Sequence, residues 1–208
     1  MRVIALDFET ANEGRASACA VGLSWIESGT LVRTEQRLIR PKDMRFSSMN
    51  IAIHGIFPED VADQPEFPEV WSEFIAKEPI SLLLAHNAAF DMSVLRASLD
   101  LYGIAWPSFS YLCTVKVARA IWPDLPNHRL STVAEHLGVD LIHHQAGSDA
   151  QACAAIALAA MNETACADLF ELPAAIGITL GSLCADGYQP CRVEPKSKSR
   201  LRSRHPAY

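Results

Sequence analysis

The sequence contains no apolar run that approaches the roughly 20 residues needed to span a membrane. The longest candidate covers residues 152–161, and its high alanine content predicts a buried helix instead. The apolar stretch at the start is interrupted by Asp7 and Glu9, so it does not resemble a signal peptide. These absences predict a cytoplasmic protein with no membrane partner.

Paired cysteines are also absent from the sequence. The six cysteines form no Cys-x-x-Cys pair, which argues against a zinc site, and isolated cysteines of this kind are mostly small buried hydrophobic residues. Half of the 208 residues are hydrophobic and a fifth are charged, as in ordinary globular proteins. This length is enough for one domain with a sizeable core.

Positive charge is concentrated in the last 17 residues. Residues 192–208 hold six basic residues and one acid, a net charge of +5. Because the whole chain carries −6, the other residues carry −11. An acidic surface binds nucleic acid poorly unless bound metal ions change its local charge. The basic tail would attract phosphate by itself, but such a terminus is also typical of a solvated, disordered segment.

The order of apolar segments predicts one α/β domain. A hairpin with its turn at residues 28–30, followed by alternating strands and helices, gives a mixed sheet with a three-stranded antiparallel portion plus parallel strands, flanked by helices. The predicted strands cover residues 2–6, 18–26, 31–40, 80–85 and 110–113. The predicted helices cover residues 67–77, 89–102, 115–121, 130–137 and 148–160, with a short helical piece near 50–54. The pattern weakens later, so we expect a domain at residues 1–171 and a C-terminal extension at residues 172–208.

Two carboxylates stand at the end of the first predicted strand. Asp7 and Glu9 are two residues apart on an extended segment, so their side chains project to the same side. Carboxylates held this close repel each other unless a cation lies between them. Oxygen ligands suit hard ions such as Mg²⁺ and Mn²⁺. A solvated strand end would explain either acid alone, so the pair gains weight only together with other clusters.

A second cluster, His-Asn-Ala-Ala-Phe-Asp at residues 86–91, follows a strand that is predicted to be buried. Ligands gather at the carboxyl ends of such strands. Asp91 lies in the first turn of the next helix, where an acid also stabilises the helix dipole. Asn87 is able to cap that helix, or to orient Asp91 or a substrate.

A third cluster lies where a loop with two histidines runs into the last predicted helix. His144 stands five residues before Asp149, in a loop that allows it to move over a neighbouring metal ion. An imidazole with an ordinary pKa near 6.5 can take a proton from water at neutral pH. Asp149 is again able to act as a simple cap, and we expect the adjacent His143 to face elsewhere.

Together the three clusters resemble the DEDDh exonucleases, the family of the proofreading subunit of bacterial replicative polymerases. The family's Asp-x-Glu motif matches residues 7–9, its aromatic and Asp after His-Asn match residues 86–91, and its His-x-Ala-x-x-Asp-Ala motif matches residues 144–150. All three stand in family order across about residues 1–162, whereas residues 172–208 have no counterpart. The resemblance implies an RNase H-like fold and a 3′→5′ exonuclease that releases nucleoside 5′-monophosphates from DNA ends.

The resemblance also implies the site residues. Two divalent metal ions, Mg²⁺ or Mn²⁺, would be bound, one by Asp7, Glu9 and Asp149 and the other by Asp7 with Asp91. Two such ions stabilise both the attacking and the leaving oxygen of a phosphodiester. His144 would deprotonate the attacking water and complete the catalytic set. Contacts to the terminal nucleotide are implied for Phe8, Thr10, His54, Asn87 and Phe90, of which His54 begins a His-Gly-Ile segment typical of the family.

Three alternatives remain open at the level of sequence. The first is an RNA-directed exonuclease of the same family, because no residue identifies itself as a partner of the 2′-OH. The second is a subunit that docks on a polymerase or repair complex through the segment from about Leu172. The third is an α/β domain whose acids are caps and surface groups, which would require three independent coincidences in family order.

Overall fold

The computed structural model describes residues 2–194, and these residues build a seven-stranded mixed sheet flanked by helices. The strand order is β3-β2-β1-β4-β5-β7-β8. Strand β2 pairs antiparallel with both β1 and β3, and β4 and β5 run parallel to β1. Strand β7 pairs antiparallel with β5, and β8 pairs antiparallel with β7. A separate two-stranded sheet pairs β6 with β9. The strands are β1 Val3–Thr10, β2 Ala18–Glu27, β3 Thr30–Leu38, β4 Leu82–Ala85, β5 Phe109–Cys113, β6 Ile178–Thr179, β7 Gly181–Cys184, β8 Gly187–Gln189 and β9 Arg192–Val193.

The helices alternate with the central strands. They are α1 Ser48–His54, α2 Pro58–Val61, α3 Phe67–Val70, α4 Ala89–Leu101, α5 Thr114–Ile121, α6 Leu130–His136, α7 Ala146–Glu163 and α8 Leu172–Ala175. Within residues 2–194, no helix is both long and apolar enough to cross a membrane. The predicted fold class, an α/β mixed sheet flanked by helices, is confirmed.

Burial explains where each strand lies in the sheet. All four residues of β4 are buried, as a central parallel strand requires, whereas most residues of the edge strand β3 are at least partly exposed. The predicted hairpin between β2 and β3 is confirmed, with Ser28 and Gly29 in the left-handed conformation. The helices predicted over residues 89–102 and 130–137 are each followed by a left-handed glycine, Gly103 and Gly138.

Two predicted elements differ from the structure. The helix predicted over residues 67–77 is only one turn of α-helix, α3, which continues as a π-helical turn at Trp71–Ile75. The first strand extends to Thr10 instead of ending at residue 6, so Asp7 and Glu9 lie inside it. The reason is that Phe8 and Thr10 alternate with the acids and are buried, so the ladder with β2 continues to Thr10, with a shift of register between Glu9 and Thr10.

The folded structure continues beyond the boundary expected at residue 171. Strand β7 pairs with β5 and carries β8 with it, so residues 181–189 belong to the main sheet. A Cβ at Gly181 would lie 2.1 Å from the ring of Tyr111, so only glycine allows this close approach. Residues 172–194 therefore pack as part of the same folded unit. The rest of the predicted basic tail, residues 195–208, lies outside the described residues.

Candidate active site

Strand β1 places Asp7 and Glu9 on one face near its carboxyl end. The two side chains are two residues apart, as predicted, and Glu9 is buried while Asp7 is partly exposed. In the ladder with β2, Asp7 lies opposite Gly22 and Glu9 opposite Ala20. Small partners on β2 leave room beside the two carboxylates for another element.

Helix α7 fills that room and brings Asp149 to the two acids. A Cβ at Gly22 would lie 1.9 Å from the carbonyl oxygen of Ala146, so the absence of a side chain is what lets the helix begin against the strand. Gly147 donates its amide to the Gln36 side chain at 3.1 Å, which ties the same helix start to β3. Asp149 in the first turn is 4% exposed. Its carboxylate is thus held next to Asp7 and Glu9.

Asp91 reaches the same place from the other neighbouring strand. Strand β4 lies parallel to β1, and the helix that follows it, α4, has Asp91 in its first turn. One oxygen of Asp91 accepts a hydrogen bond from the backbone amide of Phe8 at 3.1 Å. This bond between two of the predicted motifs fixes Asp91, which is 1% exposed, behind the other acids.

The two histidines of the third cluster both face the acids. His144 donates its backbone amide to Asp149 Oδ2 at 3.1 Å and has a left-handed backbone with φ of 63°. Its Nδ1 lies 3.9 Å from Glu9 Oε1. The expectation that His143 faces elsewhere is wrong, because its Nδ1 lies 3.6 Å from Asp149 Oδ1 and its ring stacks on His144 at 3.9 Å. The left-handed turn at His144 brings both rings to one side.

Burial and mutual repulsion destabilise the charged forms of the four acids. Burial, followed by the charges of the other acids, raises the pKa of Glu9 to about 8 and raises the pKa of Asp7 well above its usual range. Burial also raises the pKa of Asp91 to about 7 and raises the pKa of Asp149. Asp149 Oδ1 is buried without a hydrogen-bond partner within residues 2–194. Ligand atoms of Asp7, Glu9 and Asp149 all lie within 4.8 Å of one another, so an oxygen-binding cation would fit this set.

The acids open into a cavity of about 690 Å³. Thr10 lines it and is held from α1, because the side chain of Asn50 donates to the Thr10 carbonyl oxygen at 2.7 Å. His54 Nδ1 accepts from the Ile56 amide, so Nε2 carries the proton and donates to the Thr10 carbonyl oxygen at 3.2 Å. Burial lowers the pKa of His54, which keeps this ring neutral.

The remaining predicted contact residues also border the cavity but differ in exposure. The Phe8 side chain is only 2% exposed, which leaves little of it for a ligand. Asn87 is exposed with a left-handed backbone, and its side chain makes no hydrogen bond to the residues that the structure describes. The suggestion that it caps α4 is therefore wrong. Phe90 is partly buried, with the Arg15 guanidinium 4.5 Å from its ring centre.

Several cavity residues have no role assigned in the sequence prediction. His86 is held by Thr114 Oγ1 at 3.0 Å from Nδ1, and it donates from Nε2 to the His128 carbonyl oxygen at 3.0 Å. Burial lowers the pKa of His86 to about 4, so the ring is neutral. On the far wall, the cavity is lined by Arg119 and Arg129 from α5 and the start of α6. Nothing in the sequence separates these two arginines from ordinary surface residues.

The RNase_T family model, described as Exonuclease, matches residues 4–157 of this chain, which include all three clusters. The chain belongs to this exonuclease family. The family predicted from the three motifs is confirmed. Among curated relatives of the exonuclease, the DNA polymerase III PolC-type protein of Halalkalibacterium halodurans is 30% identical over 128 residues, and that of Oceanobacillus iheyensis is 34% identical over 128 residues. These matches cover 61% of the exonuclease chain but 9% of each relative's length.

Solved structures agree with the fold. Exonuclease X in complex with 5′ overhanging duplex DNA superposes with a TM-score of 0.68 at 23% identity, over 84% of this exonuclease and 99% of that chain. The nuclease domain of 3′hExo, a DEDDh family member bound to rAMP, gives a TM-score of 0.66 at 22% identity, over 80% and 94%. At these identities the likeness establishes the RNase H-like fold alone.

Proposed function

We propose that this chain is a divalent-metal-dependent 3′→5′ exonuclease that removes nucleoside 5′-monophosphates from DNA ends. The observation that carries the proposal is the meeting of Asp7, Glu9 and Asp149 at the floor of one cavity, with Asp91 directly behind them. Mutually repelling carboxylates in this position are explained by a bound cation, and belonging to the exonuclease family supports the same reading.

The four acids would hold the metal ions. Asp7, Glu9 and Asp149 would bind one divalent ion, and Asp7 with Asp91 a second. Bound there, the ions would supply positive charge to the attacking and leaving oxygens of the phosphodiester. The unpartnered oxygen of Asp149 and the raised pKa values of the acids support this assignment, because within residues 2–194 burial outweighs the opposing charges of Arg15 and the nearby histidines.

His144 would take the proton from the attacking water. Its ring stands at the cavity edge, close to Glu9, and burial followed by the neighbouring His143 lowers the pKa of His144. A neutral imidazole at physiological pH is the form that can accept a proton. The water oxygen would bond to phosphorus while the 3′ oxygen of the preceding nucleotide leaves, which releases the terminal nucleoside 5′-monophosphate.

The cavity wall would position the strand end. Thr10, His54, Asn87 and Phe90 border the space beside the acids and are proposed contacts of the terminal nucleotide, with Phe8 contributing mainly through its backbone bond to Asp91. Arg119 and Arg129 would attract backbone phosphates, which matters on a chain with a net charge of −6.

DNA is the proposed substrate because the curated relatives are DNA polymerase III PolC-type proteins and Exonuclease X was solved with DNA. These relatives also support an association with a polymerase, for which the basic C-terminal tail is the proposed contact. Removing residues 195–208, which leaves β9 in place, would leave activity on a short free oligonucleotide unchanged if the tail only docks.

The deciding experiment uses 5′-labelled single-stranded DNA and RNA of one sequence, each with Mg²⁺, Mn²⁺ or chelator. A ladder that shortens from the 3′ end, is lost with chelator and is lost in Asp149→Asn supports the proposal. Asp63→Asn, a change at an exposed acid outside the cavity, is the matched control and retains activity. Faster shortening of RNA would change the proposed substrate from DNA to RNA. If folded protein with metal shortens neither strand, the proposal is overturned.

A further inference from the structure

The extra histidine of the third cluster makes a second ligand set beside the acids. Atoms of His143, His144 and Asp149 that are able to ligate a metal all lie within 4.8 Å of one another. Unlike the all-oxygen set of Asp7, Glu9 and Asp149, this group offers two imidazoles and one carboxylate. Imidazole favours Zn²⁺ and other late transition ions, whereas Mg²⁺ favours oxygen.

The spacing within this group is that of ligands around an ion and not that of hydrogen-bonded partners. His143 Nδ1 and Asp149 Oδ1 are 3.6 Å apart, beyond hydrogen-bond length. Two ligand atoms of one tetrahedral zinc ion, each at about 2.1 Å from the metal, lie about 3.4 Å apart. The gap between ring and carboxylate therefore matches a shared zinc ion.

The two oxygens of the Asp149 carboxylate differ in their hydrogen bonding. Asp149 Oδ2 accepts the backbone amide of His144 at 3.1 Å, while Asp149 Oδ1, on the side of His143, is buried without a hydrogen-bond partner within residues 2–194. The Asp149 side chain is 5% exposed and Oδ1 itself is buried, so water does not compensate for that oxygen. An unsatisfied oxygen turned to an imidazole is a place where a cation fits, and zinc bound there would use the same oxygen that supports the hydrolytic metal site.

The two rings are able to close on an ion. The side chains of His143 and His144 are 45% and 38% exposed, so an ion from solvent reaches both rings. The left-handed backbone at His144 keeps both rings on the side of Asp149. Three protein ligands with an open position to solvent are the usual arrangement of an accessible zinc site.

We propose that His143, His144 and Asp149 form a transition-metal site that binds Zn²⁺ and thereby inhibits the exonuclease. Zinc at this site would be coordinated by the imidazole of His144 and the carboxylate of Asp149. Neither side chain would then be free for its role in the proposed hydrolysis. The cysteine pattern argued against zinc, but this ligand set contains no cysteine. The inhibition rests on the proposed function, whereas the binding of zinc does not.

Calorimetric titration of the full chain with Zn²⁺ in excess Mg²⁺ tests the binding without substrate. We expect a tight site in the unmodified chain that weakens at least tenfold in His143→Gln. His136→Gln, which changes an exposed histidine outside the cavity, is the matched control and keeps the tight site. Equal zinc affinity in His143→Gln and the unmodified chain would overturn the proposal.

The activity arm compares Zn²⁺ inhibition of Mg²⁺-supported cleavage, with each variant normalised to its own zinc-free rate. The zinc concentration for half inhibition should rise at least tenfold in His143→Gln and stay unchanged in His136→Gln. Equal inhibition of both variants would overturn the inhibitory role. If the proposed nuclease activity fails on every substrate, the calorimetry still decides the zinc site, so the two failures are distinguishable.

Discussion

The acidic cluster and the C-terminal edge of the sheet both bury polar groups, with opposite consequences for stability. At the edge, the Tyr111 hydroxyl lies 2.7 Å from that of Tyr188 and accepts the Cys191 amide at 3.0 Å, so neutral partners satisfy one another. In the cluster, carboxylates face each other and Asp149 Oδ1 lacks a hydrogen-bond partner within residues 2–194. The edge is satisfied without a ligand, whereas the cluster would be stabilised by the proposed metal ions.

The variant with the largest expected effect is Asp7→Asn, which removes one charge from the acidic cluster without changing its shape. We expect cleavage to fall by more than the roughly 100-fold that is typical of losing an outer partner of a metal ligand. In chelator at pH 8 the same variant should be more stable than the unmodified chain. Each kcal/mol gained raises the melting temperature by about 2 to 4 °C in a chain of this size.

The sign follows from the raised pKa of Asp7. An acid whose folded pKa lies above its unfolded value costs stability as pH rises through that range, so removing the charge helps most at high pH. Adding Mg²⁺ should stabilise the unmodified chain more than the variant. Asp63→Asn serves as the control for both measurements, and a destabilised Asp7→Asn protein in chelator would contradict the account.

His86, which borders the cavity, allows a test of how the stability of the chain depends on pH. Its pKa of about 4 lies below the usual histidine value because of burial, so the folded chain binds fewer protons than the unfolded chain between pH 4 and 6.5. The stability that depends on neutral His86 is present above pH 6.5 and is lost as pH falls to 4. The loss amounts to at most roughly 3 kcal/mol.

The measurement is urea unfolding of the unmodified chain and His86→Gln at pH 7.5 and pH 4.5, in chelator. We expect the stability advantage of the unmodified chain to shrink at the lower pH, since glutamine does not titrate. His136→Gln provides the comparison at an exposed histidine. An advantage that is the same at both pH values would mean that His86 is not held neutral.

The two regions also differ in how far the sequence predicted them. The structure brings Asp7, Glu9, Asp91 and Asp149 close together, as their positions in the three motifs indicate, while their catalytic roles stay predictions. His143 was misplaced, because a left-handed backbone at a histidine such as His144 leaves no signal in the sequence.

The C-terminal edge could not be predicted for a different reason. Strands β7 and β8 have four and three residues, too few for a periodic pattern, and β7 pairs with β5 about 70 residues earlier in the chain. Their stability comes from tertiary contacts at Tyr111 and from the space left by Gly181, not from local propensity. The sequence does not single out Arg119 and Arg129, because only the fold brings them to the cavity.

Gly181→Ala tests the neutral edge. The added Cβ would lie 2.1 Å from the ring of Tyr111, which is 1% exposed and unable to move aside. Overpacking of this kind typically costs about 1 to 3 kcal/mol. The loss, measured by urea unfolding, should be the same at pH 6 and pH 8 and with or without Mg²⁺, because no charged group is involved.

Ser182→Ala changes the next residue of the same strand and is the matched control, with little loss expected. The cleavage rate per folded molecule should stay unchanged in Gly181→Ala, since β7 lies away from the cavity residues. A loss of stability that depends on Mg²⁺ would show that the edge and the cluster are coupled.

The smallest expected effect is that of Arg129→Ala on the far wall of the cavity. Removing one phosphate contact should raise KM a fewfold, leave kcat nearly unchanged, and lower the slope of log affinity against log salt by about 1. Arg33→Ala, at the β3 edge beside Trp25, is the control with no expected change in KM. A fall in kcat with unchanged KM would place Arg129 with the reacting groups. Long-range attraction of the strand would then have to come from other residues of this acidic chain, of which Arg119 is the nearest candidate on the same wall.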